Sequence, residues 1–143
     1  MDKPLFDRLI MFAGRFHELE YELTFQAPLD GVSPLQYRIL QYLLVGGPSG
    51  LSQLALCMDM SLPNCSREVR KLTETGYLLK DEGEGDRRRI LIALSPAGSA
   101  LVTAVFAHMQ SVLAERVGSL PASSRGKLVE ALDTVESLLM KKA

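Results

Sequence analysis

The residues from Ser52 to Gly98 change their periodicity twice, and that double change restricts the possible folds more than any other feature of the chain. The first part has helical spacing and predicts two short helices. One runs from about Ser52 to Met58, with Asp59 and Met60 as the turn that follows. Ser61 is placed to cap the second helix, and Pro63 falls in its first turn, where a missing N–H costs nothing. Gly76 ends it, as a residue free to take positive φ. Within that helix Cys65, Val69 and Leu72 share one face, at i, i+4 and i+7. Pro63, Arg67, Arg70 and Glu74 share the opposite one.

After Gly76 the period shortens. Tyr77–Lys80 and Ile90–Leu94 are apolar runs rich in strand formers, joined by the polar, glycine-bearing DEGEGDRRR. This predicts a hairpin whose tip carries Arg87, Arg88 and Arg89. Alternation puts Ile90 and Ile92 on one face and Arg89 and Leu91 on the other, which leaves Arg88 at the rim. A helix presenting Ser, Asn and Arg, followed by a basic hairpin, is what a winged helix-turn-helix requires. The helix enters the major groove, and the wing reaches phosphates and the adjacent minor groove.

Two motifs carry a family resemblance: Ser61-x-Pro63-x-x-Ser66-Arg67-x-Val69-x-x-Leu72-x-x-x-Gly76-Tyr77-Leu78, and Asp86-Arg87-Arg88-x-Ile90-x-Ile92-x-Leu94-Ser95-x-x-Gly98. Together they resemble the MarR family of winged-helix transcriptional regulators, whose wing is D-R-R, alternating apolar residues and then T/S-x-x-G. With the flanking helices the resemblance extends over nearly the whole chain. It implies a homodimer, and a role for Asp86 as an internal partner that orients an arginine. Glu82 and Glu84 depart from the family's more basic wing tips. A short edge strand is usual in the family before the helix-turn-helix. Here Gly46-Gly47-Pro48-Ser49-Gly50 keeps it brief.

A chain of 143 residues with 47% hydrophobic side chains is expected to form one domain with a real core. The expected fold class is mainly α with a small β-hairpin. A winged helix spans about residues 33–98, and dimerisation helices flank it at about 4–26 and 96–142. No apolar run is expected to reach the roughly 18–20 residues that span a bilayer, and no signal-peptide core follows the N-terminus. The expectation is a cytoplasmic protein with no membrane partner. The net charge of −1 argues against attraction to nucleic acid by bulk charge, so local distribution must decide. Arg67, Arg70 and Lys71 cluster on one helix and Arg87–Arg89 on the wing, whereas Asp7, Glu18, Glu20 and Glu22 weight the N-terminal helix with acid.

That N-terminal helix carries Leu5, Leu9, Phe12, Phe16, Leu19 and Leu23 at spacings of 4, 3, 4, 3 and 4. The stripe is long and narrow for its own domain's core and reads partly as a subunit interface. Ser33-Pro34 opens a second helix to about Leu44, with Leu35, Ile39, Leu40 and Leu43 expected inside. Ser95-Pro96 opens a fifth helix to about Val117, striped by Leu101, Val105, Met109 and Val112. After Gly118–Pro121 a sixth helix runs from Ala122 to about Met140, with Leu128, Leu132, Val135 and Leu139 on one face.

The candidate DNA contacts are Ser61, Pro63, Asn64, Ser66, Arg67 and Arg70 on the helix, with Arg87 and Arg88 on the wing. Arg can pair with guanine, Asn with adenine, and Ser with base edges or phosphates. Lys71, nearer the flank, is expected at a phosphate or exposed. The plainer reading of these positions is a solvated helix face and a charged loop. An effector pocket is expected between dimer helices and DNA module, walled by Phe12, Phe16, Tyr37 and Met109 and suited to a small aromatic or lipophilic acid. Cys57 and Cys65 read as apolar face positions packed in the core, the alternative being a redox pair. His17 and His108 lack metal-ligand spacing, so no metal and no cofactor are expected. Enzyme motifs are absent from the sequence.

The function this supports is a sequence-specific, double-stranded-DNA-binding transcriptional regulator. It would be a dimeric repressor of a palindromic operator, relieved by a small ligand. The alternative is a winged-helix protein-interaction module that does not touch DNA.

Overall fold

The computed structural model describes residues 2–82 and 90–140. In chain order the elements are α1 (Lys3–Thr24), α2 (Pro34–Gly46), α3 (Leu51–Cys57), α4 (Leu62–Glu74), β1 (Leu78–Glu82), β2 (Ile90–Leu94), α5 (Pro96–Val117) and α6 (Ala122–Leu139). Four helices start by the same device. Asp2, Ser33, Ser61 and Ser95 each accept an orphan backbone N–H with the side chain, and each helix has proline in its first two positions. Short α3 starts at Gly50 without a side-chain cap.

Helix α4 ends in a Schellman turn. The Tyr77 N–H donates to the Leu72 carbonyl (2.9 Å) and the Gly76 N–H to the Thr73 carbonyl (3.1 Å), with Gly76 at φ +90°. Tyr77 therefore belongs to this turn, and β1 begins one residue later than its composition predicts. Strands β1 and β2 pair antiparallel from Leu78 opposite Leu94 to Glu82 opposite Ile90. Ser49 adds a single bridge on the far side of β2, donating to the Ile92 carbonyl at 3.0 Å and accepting from its N–H at 2.7 Å. This is the brief edge strand that the glycines permit.

The core lies between α2, α3, α4, the hairpin and the first half of α5. Ile39, Leu40, Leu54, Cys65, Leu72, Leu78, Val102 and Val105 are fully enclosed. Each large side chain buried in this way contributes about 1.5–3 kcal/mol of hydrophobic stabilisation. The helical stripe of α4 is realised as read: Cys65, Val69 and Leu72 point inward, and Pro63, Arg67, Arg70 and Glu74 stay exposed.

Three expectations are corrected. Leu35 is exposed (36%) because it lies in the first turn of α2, where a helix end has neighbours on one side only. Tyr37 is buried instead. Cys57 is exposed because the inward stripe of α3 is Leu51, Leu54, Ala55 and Met58, at i, i+3, i+4 and i+7, and residue 57 falls off it. Helix α5 is long and apolar enough to cross a membrane by length and composition, with mean hydropathy 1.4 over its richest window. Its first half enters the core through Gly98, Leu101, Val102 and Val105.

The two outer helices are different in kind. Among the described residues, none in α1 or α6 is buried. Helix α1 packs on α5, held also by an Arg116–Glu22 ion pair and by a contact of 2.8 Å between His108 Nε2 and the Phe25 carbonyl. Among the described residues, helix α6 makes no more than slight contact with the other elements of its own chain.

Candidate nucleic-acid interface

Helices α3 and α4 meet through a tight turn. Asp59 takes φ +53°, and the Met60 N–H donates to the Ala55 carbonyl at 2.9 Å, so the chain reverses within three residues. Ser61 then accepts from the Asn64 N–H at 3.3 Å. Its oxygen is engaged in capping α4, and its O–H is left to donate. Pro63, Asn64, Ser66, Arg67 and Arg70 are all exposed, on the side of α4 opposite its core stripe or flanking it. Among the described residues neither Arg67 nor Arg70 forms an ion pair. An unpaired guanidinium keeps all its donors for an external acceptor. Arg87 and Arg88, with Asp86 and Arg89, lie outside the described residues.

Lys71 is placed differently from the two arginines. Its Nζ is 3.6 Å from Glu68 Oε1. Glu68 in turn accepts from Gln36 Nε2 at 2.8 Å through its other oxygen. Neither Gln36 nor Glu68 stands out as a site residue in the sequence. Ser33-x-x-Gln36 is a legible capping box, but nothing local indicates what the outer face of the Gln36 amide meets.

The rest of the module is fastened at Tyr77. Its carbonyl accepts from the Ser95 N–H at 3.0 Å, and its hydroxyl donates to Asp30 Oδ2 at 3.2 Å. Burial pushes the Tyr77 hydroxyl above its usual range, and the hydrogen bond and negative charge of Asp30 add to the effect. Ser95 Oγ accepts from the Gly98 N–H and donates to the Gly76 carbonyl. The end of α4, the start of α5 and the loop after α1 are thus joined around one tyrosine.

The residues expected to wall an effector pocket are spread out. Tyr37 and Met109 meet, the hydroxyl lying 3.8 Å from the Met109 sulfur. Burial raises the Tyr37 hydroxyl to about 12. Phe12 and Phe16 stack on each other with ring centroids 5.8 Å apart, but on the exposed face of α1. A cleft of about 270 Å³ opens between α1 and α5, lined by Leu23, Phe106, Met109, Gln110 and Leu113. Among the described residues no group of His, Cys, Asp and Glu comes together to hold a metal ion.

A capped recognition helix after a tight turn, followed by a hairpin and closed by a core helix, defines a winged helix-turn-helix. The family model described as MarR family matches residues 30–89. An uncharacterised HTH-type transcriptional regulator of Mycobacterium bovis is 30% identical over 121 residues, covering 85% of each chain. Among solved structures, a MarR family protein from Bacillus stearothermophilus superposes with TM-score 0.78 at 20% identity, over 96% of this chain and 94% of that one. MepR of S. aureus, solved bound to ethidium bromide, superposes with TM-score 0.66 at 20% identity, over 92% and 95%. The chain belongs to the MarR family and is a DNA-binding transcriptional regulator.

Proposed function

We propose that this regulator is a homodimeric repressor that binds a palindromic operator and is released by a small aromatic or lipophilic ligand. The observation that carries the reading is the state of α6. Its 18 residues include Leu128, Leu132, Val135 and Leu139, all exposed in the single chain. An amphipathic helix with no apolar partner of its own is stable only when a second surface covers it. The exposed Leu5, Phe12 and Phe16 of α1 supply more of the same kind of surface. A second copy of the chain covers both at once, and a two-fold dimer presents two α4 helices about one DNA turn apart.

In this reading Asn64, Arg67 and Arg70 face bases or groove walls, with Ser61, Pro63 and Ser66 beside them. Arg87 and Arg88 anchor the wing. The α1–α5 cleft is lined by Met109, which also meets Tyr37 of α2, and in this reading a ligand there favours a spacing of the two α4 helices that does not dock. Its apolar walls and single amide, from Gln110, suit an aromatic ligand with one polar group. MepR's complex with ethidium supports a ligand of this general character.

The test is deletion of α6 from Ala122 onward. The truncated chain is expected to remain folded, because α6 contributes nothing buried, to sediment as a monomer, and to lose specific DNA binding. A truncated chain that remains a dimer with full operator affinity refutes the assembly. Selection of bound sites from random DNA tests the symmetry, the expected result being an inverted repeat.

A further inference from the structure

We infer that Gln36 and Glu68 are a positioning pair for DNA reading, a strut that sets the roll of α4 about its own axis without touching DNA. The inference rests on the reading of α4 as the DNA-reading helix.

Three observations converge on it. First, Gln36 is rigid before it reaches α4. Its own N–H donates to Ser33 Oγ at 3.1 Å, and its Oε1 accepts from the Ser33 N–H at 3.1 Å. The capping box consumes the amide oxygen and fixes the rotamer, which leaves Nε2 as a donor in a set direction. Second, that donor meets Glu68 Oε2 at 2.8 Å, across 32 residues of chain. The Glu68 side chain is only 19% exposed, so its carboxylate needs partners, and the Gln36 amide and the Lys71 ammonium supply them. Third, Glu68 stands between Arg67, which is exposed, and Val69, which is in the core.

The geometry explains why such a strut is useful. Helix α4 packs on α3 and β1 through Cys65, Val69 and Leu72. An apolar stripe of that width tolerates some rotation of the helix, because hydrophobic contact is non-directional. A hydrogen bond on the flank does not tolerate it. Successive helix residues are about 100° apart, so fixing Glu68 against α2 fixes the direction in which neighbouring Arg67 leaves the helix. Base-edge contacts depend on that direction far more than phosphate attraction does. Losing the strut therefore degrades specific binding and leaves non-specific binding largely intact.

The test exchanges the two groups. Gln36→Glu keeps the capping box, in which glutamate is a usual partner, but sets two carboxylates against each other. Adding Glu68→Gln restores one donor and one acceptor in reversed order, with the original net charge. Affinities are measured for the full chain on a duplex selected by the wild type and on a scrambled duplex of equal length. Gln36→Glu is expected to weaken selected-site binding about tenfold or more, with scrambled-duplex binding changed by less than about threefold. The exchanged pair is expected to recover selected-site affinity to within about threefold of wild type. An equal loss on both duplexes makes Gln36→Glu a general charge effect and overturns the proposal, as does failure of the exchange to recover the loss. Retained scrambled-duplex binding shows that each variant is folded. Arg67→Ala is measured alongside. If it is impaired on the selected site while Gln36→Glu equals wild type, the positioning pair alone is overturned. If both equal wild type, the reading of α4 falls as well.

Discussion

Gly98, in the first turn of α5, lies so close to the Tyr77 carbonyl that a Cβ on it would fall well inside 3.0 Å of that oxygen, and 3.1 Å from Leu94 Cδ2. The obstructing atom is backbone, and Tyr77 is itself fixed by the turn that ends α4, so neither side can give way. Gly98→Ala is expected to cost about 2–3 kcal/mol, at the upper end of overpacking effects, or to prevent folding. The urea midpoint measures it. A midpoint equal to wild type would show that this approach is not tight in solution. Ser95→Ala removes the cap of α5 and the link to Gly76, and is expected to cost about 1–2 kcal/mol.

Tyr37 makes stability depend on pH in the alkaline range. Its hydroxyl is raised from 10.0 to about 12 by burial, so the folded chain holds this proton where the unfolded chain releases it. The native state then binds more protons between those values. The contribution is complete below pH 10 and is lost as pH rises towards 12. Denaturation measured across this window is expected to show a steeper loss for wild type than for Tyr37→Phe. Parallel curves would mean that the hydroxyl is hydrated in the folded state.

The two thiols are expected to react at different rates. Cys57 is exposed, with Tyr42 Oη at 3.2 Å and Gln53 Nε2 at 3.3 Å from its sulfur. Cys65 is enclosed, and burial pushes its thiol up from 9.0, which suppresses the reactive thiolate. A thiol reagent should titrate Cys57 in the native protein and Cys65 only with denaturant. Cys65→Val should retain DNA binding and lose no more than about 1.5 kcal/mol. Release of wild-type protein from DNA by mild peroxide, abolished by that substitution, would contradict the packing role of Cys65.

Arg67 and Arg88 are expected to differ in kind. A base-reading arginine supplies about 1–3 kcal/mol of discrimination. A phosphate contact weakens all sequences alike and lowers the salt slope by about one. Arg67→Ala should relax or shift the selected consensus. Arg88→Ala should weaken binding about tenfold, flatten the salt dependence and keep the consensus. Site selection paired with a salt titration separates the two. Wild-type binding by Arg88→Ala across salt would remove the wing from the DNA contact.

What the sequence determined by itself was mostly local. Ser33, Ser61 and Ser95, each with a proline one or two residues on, mark helix starts by chemistry that acts within four residues. Gly76 marks a helix end in the same way. The face of α4 is legible because a 13-residue helix samples its period several times. The exposure of Cys57 is not legible in the sequence because α3 has only seven residues, too few to define a stripe, and that of Leu35 is not because periodicity does not reveal where a helix outruns its neighbours. Tertiary structure alone decided the contacts between distant segments. The glycine of the Ser95-x-x-Gly98 motif is required by the backbone of Tyr77, 21 residues earlier. The amide of Gln36 finds its acceptor on Glu68, 32 residues away. Pairings of this kind depend on how elements pack, and no local propensity encodes them.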